Sequence, residues 1–192
     1  MNKNIAILAS GEGTNAEQII RYFQGNGEIR IALLVSNREN AGALRRAEQL
    51  GVKTCHLPKV QFQDPDIPLA LLHEHRIDFI VLAGFLLFVP VPVLKAYANR
   101  IVNIHPALLP KFGGQGMYGD RVHEAVLQGK ETESGITIHY ANEHYDEGKI
   151  IFQAQTPVFP DDTPHSLAGR IHELEHRHYP QVIEQIVRAL PQ

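Results

Sequence analysis

Apolar positions follow two different spacings along the first half of the chain. The short apolar runs that predict strands are Ile5–Ala9, Ile29–Val35, Val52–Leu57, Phe79–Ala83 and Ile101–Ile104. The segments with apolar residues at helical spacing, which predict helices, are Ala16–Phe23, Ala41–Leu50 and Leu69–His75. Alternating strands and helices are typical of a parallel sheet covered by helices. We therefore predict an α/β fold with three layers, in which a mostly parallel, Rossmann-like sheet carries helices on both faces.

The second half of the chain has a different pattern. Gly135–Tyr140 and Ile150–Val158 alternate or run apolar on either side of the turn-rich segment Asn142–Gly148, which predicts a hairpin-like pair of strands. Pro164–Ile186 predicts a long closing helix, in which Pro180 could cause a break. No repeat and no linker divides the sequence, so a single domain over residues 1–192 is expected.

The composition argues against several classes of protein. Apolar residues make up 44% of the 192 residues, enough for a continuous core, and no segment approaches the ~18 apolar residues of a membrane span. Acids and bases are interspersed, with a net charge of −3, so no nucleic-acid surface is expected. The first predicted strand starts at Ile5, which leaves no room for a signal peptide. We expect a cytoplasmic protein without membrane or nucleic-acid partners, as a monomer or a homodimer.

The most informative polar residues stand at the end of the fifth predicted strand. Asn103 and His105 are two positions apart, so their side chains point to the same face. At the carboxyl end of a strand in an open α/β sheet, that face borders the crevice where ligands bind. An amide, an imidazole and a distant carboxylate such as Asp146 can together bind an oxyanion and move a proton. The alternative is that they are a turn cap, a satisfied interior histidine and a turn residue.

A glycine-rich loop joins the first predicted strand to the first predicted helix. Ser10–Ala16 contains the spacing G-x-G-x-x-A, whose glycines let the backbone approach an anion at the start of a helix. Thr14 and Asn15 add side-chain donors. A dinucleotide site would need an acidic residue at the end of the second strand, but that strand ends Val35-Ser36-Asn37-Arg38. A phosphate site is therefore favoured over a dinucleotide site, in which Arg38 would meet a 2′-phosphate, and over a plain tight turn.

A zinc site is the alternative suggested by the last predicted helix. His172-Glu173-Leu174-Glu175-His176 matches H-E-x-x-H, which places two histidine ligands on one helical face. The extended pattern fails, because Tyr179 stands where a glycine is required. We expect a solvated helix face and no bound metal.

Two further loops carry features that bear on a binding site. Gly113–Gly119 holds four glycines in seven residues, which predicts either a mobile loop that closes over a substrate or a flexible connection. Leu82–Pro90 is an apolar strand end and loop, typical of core packing but also able to line a pocket for a flat aromatic ligand.

Taken in order, these segments resemble the glycinamide ribonucleotide formyltransferases, a family of folate-dependent enzymes. The resemblance covers nearly the whole chain and is carried by Ile5–Asn15, Val81–Phe85, Val102–Pro110, Gly135–Tyr140, Tyr145–Ile151, and Glu175-His176 before Tyr179-Pro180. It implies the formyltransferase fold and one catalytic domain. It also implies two small-molecule substrates, glycinamide ribonucleotide and 10-formyltetrahydrofolate, with no metal.

The resemblance also implies roles for individual residues. Asn103, His105 and Asp146 would be catalytic. Gly13, Thr14 and Asn15 would hold the substrate phosphate, and Glu175 would contact its ribose. The folate would lie against Leu86, Leu87, Phe88 and Val89 and against the loop residues Asn142, Glu143, His144 and Tyr145. This chain departs from the family pattern in two places: Val60–Pro68 contains no arginine, and the stretch Gly113–Gly119 is longer than in many members.

The implied reaction assigns a task to each catalytic residue. The substrate amine attacks the formyl carbon, and negative charge appears on the formyl oxygen. Asn103 and a protonated His105 would donate hydrogen bonds to that oxygen, and Asp146 would take a proton from the amine. The Asp146 carboxylate is expected to raise the pKa of His105. The alternatives are a formyltetrahydrofolate hydrolase, in which water replaces the amine, and a noncatalytic phosphate-ligand sensor.

Overall fold

The computed structural model describes residues 2–191. The strands are β1 Lys3–Leu8, β2 Ile29–Ser36, β3 Thr54–His56, β4 Phe79–Leu82, β5 Ile101–His105, β6 Glu133–Tyr140 and β7 Ile150–Pro157. The helices are α1 Thr14–Phe23, α2 Gly42–Gln49, α3 Lys59–Gln63, α4 Asp66–Glu74, α5 Val91–Ala96, α6 Asp120–Gln128 and α7 Pro164–Arg188. The strands form one sheet in the order β3-β2-β1-β4-β5-β6-β7. The predicted α/β class with a mostly parallel sheet is thus confirmed.

Two compact units make up the chain. The first consists of Met1–Val102 and Pro180–Gln192, and the second consists of Asn103–Tyr179. In the first unit, β1 pairs in parallel with β2 on one side and β4 on the other, and β2 pairs in parallel with β3. Because β1 is central, its residues are covered on both faces, and Ile5–Ile7 are completely buried.

The second unit contains the antiparallel pair that the alternation predicted. In β6 and β7, Ile136 lies opposite Ala154 and Thr137 lies opposite Gln153. Most of β6 is buried, whereas β7 alternates between partly covered and exposed residues because it is the last strand of the sheet. This strand pair holds the turn-rich segment Asn142–Gly148 at one end.

Several boundaries differ from the sequence-based expectation. The helix α7 runs without interruption through Pro180, so the break that proline could cause does not occur. Tyr179 and Pro180 are buried, and this packing compensates for the missing hydrogen bond. Helices α3, α5 and α6 were not predicted, since segments of five to nine residues give a weak periodic signal. None of the helices described within residues 2–191 has the length and apolar character needed to cross a membrane.

Candidate functional site

In the first unit, Ser10, two residues after β1, connects the segments that follow β1, β2 and β4. The amide of Ser10 donates to the carbonyl of Gly84 after β4 (3.0 Å), and its hydroxyl donates to Asn37 Oδ1 after β2 (2.6 Å). The same hydroxyl accepts from the amide of Leu86 (2.9 Å). The sheet order places β1 between β2 and β4, where the chain changes direction across the sheet. Ligands of open α/β sheets bind outside such a switch point.

The glycine-rich loop is built for close backbone packing at this switch point. Gly13 adopts a left-handed conformation (φ 78°), and a Cβ at this position would lie 2.4 Å from the Cα of Ala43. Only glycine fits there. Helix α1 begins immediately afterwards at Thr14, and its N-cap residue, Gly13, makes no side-chain cap hydrogen bond. The N-terminal end of a helix, with its N–H groups and the positive end of its dipole, favours binding of an anion.

The apolar loop after β4 lies beside the glycine-rich loop, because Ser10 bonds to both Gly84 and Leu86. Leu86 is exposed, Leu87 and Phe88 are half-buried, and Val89 is buried. Of the four residues that the resemblance assigned to folate, Val89 is the most buried, and it lines a small cavity with Phe62 and Leu72. The other three present apolar surface next to the loop.

In the second unit, the structure brings Asn103, His105 and Asp146 together. Asn103 Nδ2 lies 3.4 Å from Asp146 Oδ1, and His105 Nδ1 lies 3.4 Å from Asp146 Oδ2. Asn103 and His105 share one face of β5, as their spacing predicted, and Asp146 follows β6 in the turn-rich segment. The three side chains converge as expected from the sequence, while their catalytic roles remain a prediction.

A fourth residue of this cluster, His139, was missed in the sequence. Its Nε2 lies 3.2 Å from Asn103 Nδ2 and 3.5 Å from Asp146 Oδ1, and its side chain is 3% exposed. The available signal was a histidine at an inward position of an apolar strand, because it shares a face of β6 with the buried Thr137. A buried polar residue usually has hydrogen-bond partners, and here those partners are the candidate catalytic residues.

Backbone carbonyls determine where the protons of the two histidines lie. His105 Nε2 is 2.7 Å from the carbonyl oxygen of Phe112, and His139 Nδ1 is 3.0 Å from that of Tyr140. Because a carbonyl only accepts, each of these nitrogens carries a hydrogen. In the neutral ring, His105 Nδ1 therefore carries no hydrogen, and it faces Asp146. His139 Nε2 likewise carries no hydrogen in the neutral ring and accepts one hydrogen of the Asn103 amide. The other hydrogen of that amide points to Asp146.

Burial affects the pKa values of both His105 and Asp146. Burial of the imidazole lowers the pKa of His105, and the opposing effect of the Asp146 charge does not reverse this. Asp146 thus acts on the pKa of His105 in the expected direction, but the net pKa is lowered and not raised, because the side chain is only 4% exposed and desolvation disfavours its charged form. Burial also acts to raise the pKa of Asp146. Interactions with His139, His105 and the amide of Gly114 outweigh this effect, so that pKa is lowered.

The loop that carries Asp146 is held in an unusual conformation. Asp146 itself is left-handed (φ 57°), and its Oδ2 accepts a hydrogen bond from the amide of Gly114 (3.0 Å). At Gly148 a Cβ would lie 1.6 Å from the carbonyl oxygen of Tyr140, so only glycine allows the segment to pack back onto β6. A strained residue at a polar cluster is held there by its surroundings, and here the Gly148 contact and the Gly114 bond do so.

The remaining predicted residues lie at different depths. Glu175 is buried on α7, at 6% exposure, whereas Asn142, Glu143, His144 and Tyr145 are exposed in the turn before Asp146. His172 and His176 stack with ring centroids 6.2 Å apart. Within residues 2–191, no group of three or more histidine, cysteine, aspartate or glutamate side chains could hold a metal ion.

Comparison with known proteins yields a consistent set of relatives. Residues 3–183 match the family described as formyl transferase. The chain is 38% identical over 190 residues to the chloroplastic phosphoribosylglycinamide formyltransferase of Arabidopsis thaliana, covering 96% of this chain and 65% of that protein. It is 35% identical over 195 residues to the Bacillus subtilis phosphoribosylglycinamide formyltransferase, covering 96% of this chain and 95% of the relative.

A solved structure has the same fold. The crystal structure of phosphoribosylglycinamide formyltransferase from Anaplasma phagocytophilum superposes with a TM-score of 0.90 at 32% identity, over 98% of this chain and 88% of that one. The coverage of longer relatives is partial, since this chain spans slightly less than two thirds of the Arabidopsis protein.

Proposed function

This chain belongs to the formyl transferase family, and we propose that it transfers the formyl group of 10-formyltetrahydrofolate to the amine of glycinamide ribonucleotide in purine biosynthesis. The observation that carries the proposal is the convergence of Asn103, His105, His139 and Asp146 in one cluster, in which both histidines are buried. The names of the Arabidopsis and Bacillus relatives support the choice of substrate.

The cluster accounts for the proton balance of the reaction. The amine nitrogen forms a bond to the formyl carbon, and the bond from that carbon to N10 of the folate breaks. The amine loses one proton and N10 gains one. Asp146 is ionised because its pKa is lowered, and the neighbouring Nδ1 of His105 is bare. The pair can therefore accept the proton from the amine and return it to the departing nitrogen.

The cluster also supplies hydrogen-bond donors for the charge that develops on the formyl oxygen. His139 accepts one hydrogen of the Asn103 amide and so fixes the orientation of the amide before any substrate arrives. The other hydrogen makes only a long contact with Asp146, 3.4 Å between Nδ2 and Oδ1, and is the one that would be donated to the formyl oxygen. A preorganised donor of this kind is worth roughly 2.7–4 kcal/mol in the transition state. Once His105 accepts a proton at Nδ1, the imidazolium becomes a second donor. The protonated form is then produced during the reaction, since burial disfavours it beforehand.

A formyl-transfer assay with the purified protein tests the proposal directly. Formation of formylated glycinamide ribonucleotide, dependent on both substrates, is expected. Release of formate at the same rate with and without the amine would instead identify a hydrolase. Saturable binding of the ribonucleotide without turnover of either kind would favour the noncatalytic sensor.

The glycine-rich loop is proposed to hold the substrate phosphate through Gly13, Thr14 and Asn15. Hydrogen bonds to a charged group contribute about 1.5–3 kcal/mol each. The double variant Thr14→Val, Asn15→Ala removes two such donors and is therefore expected to raise the KM for glycinamide ribonucleotide by roughly 10²- to 10⁴-fold, with a smaller effect on kcat. Gln18→Ala, further along α1, serves as the control and should leave both constants near the wild-type values. Wild-type affinity in the double variant would argue against a phosphate site here.

The folate is proposed to lie against the apolar residues Leu86, Leu87, Phe88 and Val89 and the exposed loop of Asn142, Glu143, His144 and Tyr145. With no arginine in Val60–Pro68, apolar contact and backbone groups would hold the pterin. Contact with one buried leucine side chain contributes about 1.5–3 kcal/mol.

Leu87→Asp is accordingly expected to raise the KM for the folate substrate by about 10- to 100-fold. Lys59→Ala, which removes an exposed charge at the start of α3, should change it little. Steady-state kinetics at saturating glycinamide ribonucleotide make the measurement. Equal KM values in the two variants would place the pterin elsewhere.

Three further expectations complete the proposal. Glu175 is assigned to the ribose of the substrate, and no metal is assigned to the reaction. The protein is proposed to work in the cytoplasm, as a monomer or a homodimer of one catalytic domain, although the Arabidopsis relative is named chloroplastic. Fluorescence microscopy of the tagged chain tests the location.

A further inference from the structure

We propose that the backbone of Phe112–Gly114 fixes the positions of both His105 and Asp146, and we call this segment the clamp. Gly113 is the residue that allows the backbone to approach the two side chains closely enough to bond to them. The role of the His105–Asp146 pair in formyl transfer rests on the function proposed above. The effect of the clamp on which nitrogen of His105 carries the hydrogen does not depend on that function. The clamp acts through main-chain groups, which is why residue types in the sequence do not reveal it.

One end of the clamp holds the imidazole. The carbonyl of Phe112 accepts from His105 Nε2 at 2.7 Å, which leaves Nδ1, on the Asp146 side, as the only basic nitrogen of the neutral ring. A partner that holds one nitrogen of a histidine fixes both its ring orientation and its tautomer. When Nδ1 gains a proton, the same bond to the carbonyl becomes charge-assisted and strengthens.

The other end of the clamp holds the carboxylate. Two residues after Phe112, the amide of Gly114 donates to Asp146 Oδ2 at 3.0 Å, and this is the oxygen that faces His105 Nδ1. A single three-residue segment therefore supports both ends of the pair. Movement of the segment would disturb the imidazole and the carboxylate at once.

The conformation of the segment requires the glycines. Phe112 and Gly114 are both left-handed, at φ 57° and 97°. Between them, a Cβ on Gly113 would lie 2.5 Å from Leu109 Cδ2 and 3.2 Å from the Cβ of Asp146. Any other residue at 113 would therefore press on the Leu109 side chain and on the Cβ atom that carries the Asp146 carboxylate.

The clamp is anchored on both sides within the second unit. Upstream, the amide of Leu109 donates to Thr137 Oγ1 (3.0 Å), and the carbonyl of Leu109 accepts from Gln153 Nε2 (3.1 Å). The ring of Phe112 reaches the end of α6, where a Cβ on Gly129 would lie 3.3 Å from its Cζ. These contacts hold a left-handed phenylalanine in place at its strained conformation.

The test combines kinetics with nitrogen NMR of the imidazoles. Gly113→Ala is the test variant, and Gly169→Ala in α7 is the control, because nothing lies within 4 Å of the added methyl group there. In protein labelled with ¹⁵N-histidine, the His105 signals are assigned by their loss in His105→Gln. The wild type and Gly169→Ala should show a hydrogen on Nε2 and none on Nδ1 in the neutral ring.

Gly113→Ala should change this tautomer ratio and lower kcat by about 10- to 100-fold, with little change in the KM for glycinamide ribonucleotide. If Gly113→Ala does not fold, Gly129→Ala displaces the Phe112 ring by a smaller amount. The tautomer ratio and kcat are then measured in that variant, and smaller changes in both are expected. A wild-type ring with its hydrogen on Nδ1, or a fall in kcat without any tautomer change, would overturn the clamp. Absence of formyl transfer in the wild type would overturn the proposed function and leave the tautomer result standing.

Discussion

Replacing Asp146 by asparagine is expected to lower kcat by roughly 10²- to 10⁴-fold, the contribution typical of a positioned acid–base group. Asparagine has the same shape and tolerates the left-handed backbone of position 146 (φ 57°). Its amide oxygen can still accept from Gly114. What is lost is the capacity to take a proton and the charge that stabilises a protonated His105.

Single-turnover formyl transfer and the KM values of both substrates separate chemistry from binding in Asp146→Asn. The KM values should change little, because the carboxylate acts mainly in the transition state. Asp161→Asn, at an exposed turn after β7, removes a negative charge from the same unit and should retain wild-type turnover. Wild-type kcat in Asp146→Asn would remove this carboxylate from the mechanism.

The second large effect is expected at the amide on β5. Asn103→Ala deletes a donor aimed at the developing oxyanion and should lower kcat by about 10²- to 10³-fold. The substitution also leaves His139 Nε2 without its nearest donor, which lies 3.2 Å away in the native cluster. Thermal unfolding of the variant verifies that the fold is retained before the rates are compared.

Asn103→Asp distinguishes hydrogen-bond donation from simple occupancy of the position. This variant keeps the size of the side chain but replaces the amide with a second carboxylate. In the native protein the amide nitrogen lies 3.4 Å from Asp146 Oδ1, so the two carboxylates would be close together. Like charges at that separation raise the pKa of one of the two carboxyls, so this variant should be no more active than Asn103→Ala. Activity in Asn103→Asp close to the wild type would contradict the donor role.

The strands of the sheet and half of the site could be predicted from local patterns. Short apolar runs at β1, β2, β4 and β5 identify strands because a strand buried on both faces needs apolar residues at consecutive positions. Asn103 and His105 could be placed on one face, since side chains alternate with period two. The position of Gly13 followed from the loop between β1 and α1. Short helices such as α5 escaped prediction, because one or two turns do not establish a period.

Other features depend on contacts between residues far apart in the sequence. His139 gives no sign of its role until β6 brings its ring to Asn103 and Asp146. The sign of the His105 pKa shift could not be predicted either. The sequence shows the partner carboxylate, but burial to 4% exposure determines that the neutral form is favoured.

The sequence by itself determined the fold class and the set of reactive groups, because secondary structure follows from local periodicity and the side-chain chemistry of each residue is fixed. The tertiary structure decided how those groups are protonated and held. The carbonyls of Phe112 and Tyr140 and the amide of Gly114 direct the hydrogens of the cluster. Such groups occur in every residue except for the amide of proline, and only folding determines which of them point at a catalytic side chain.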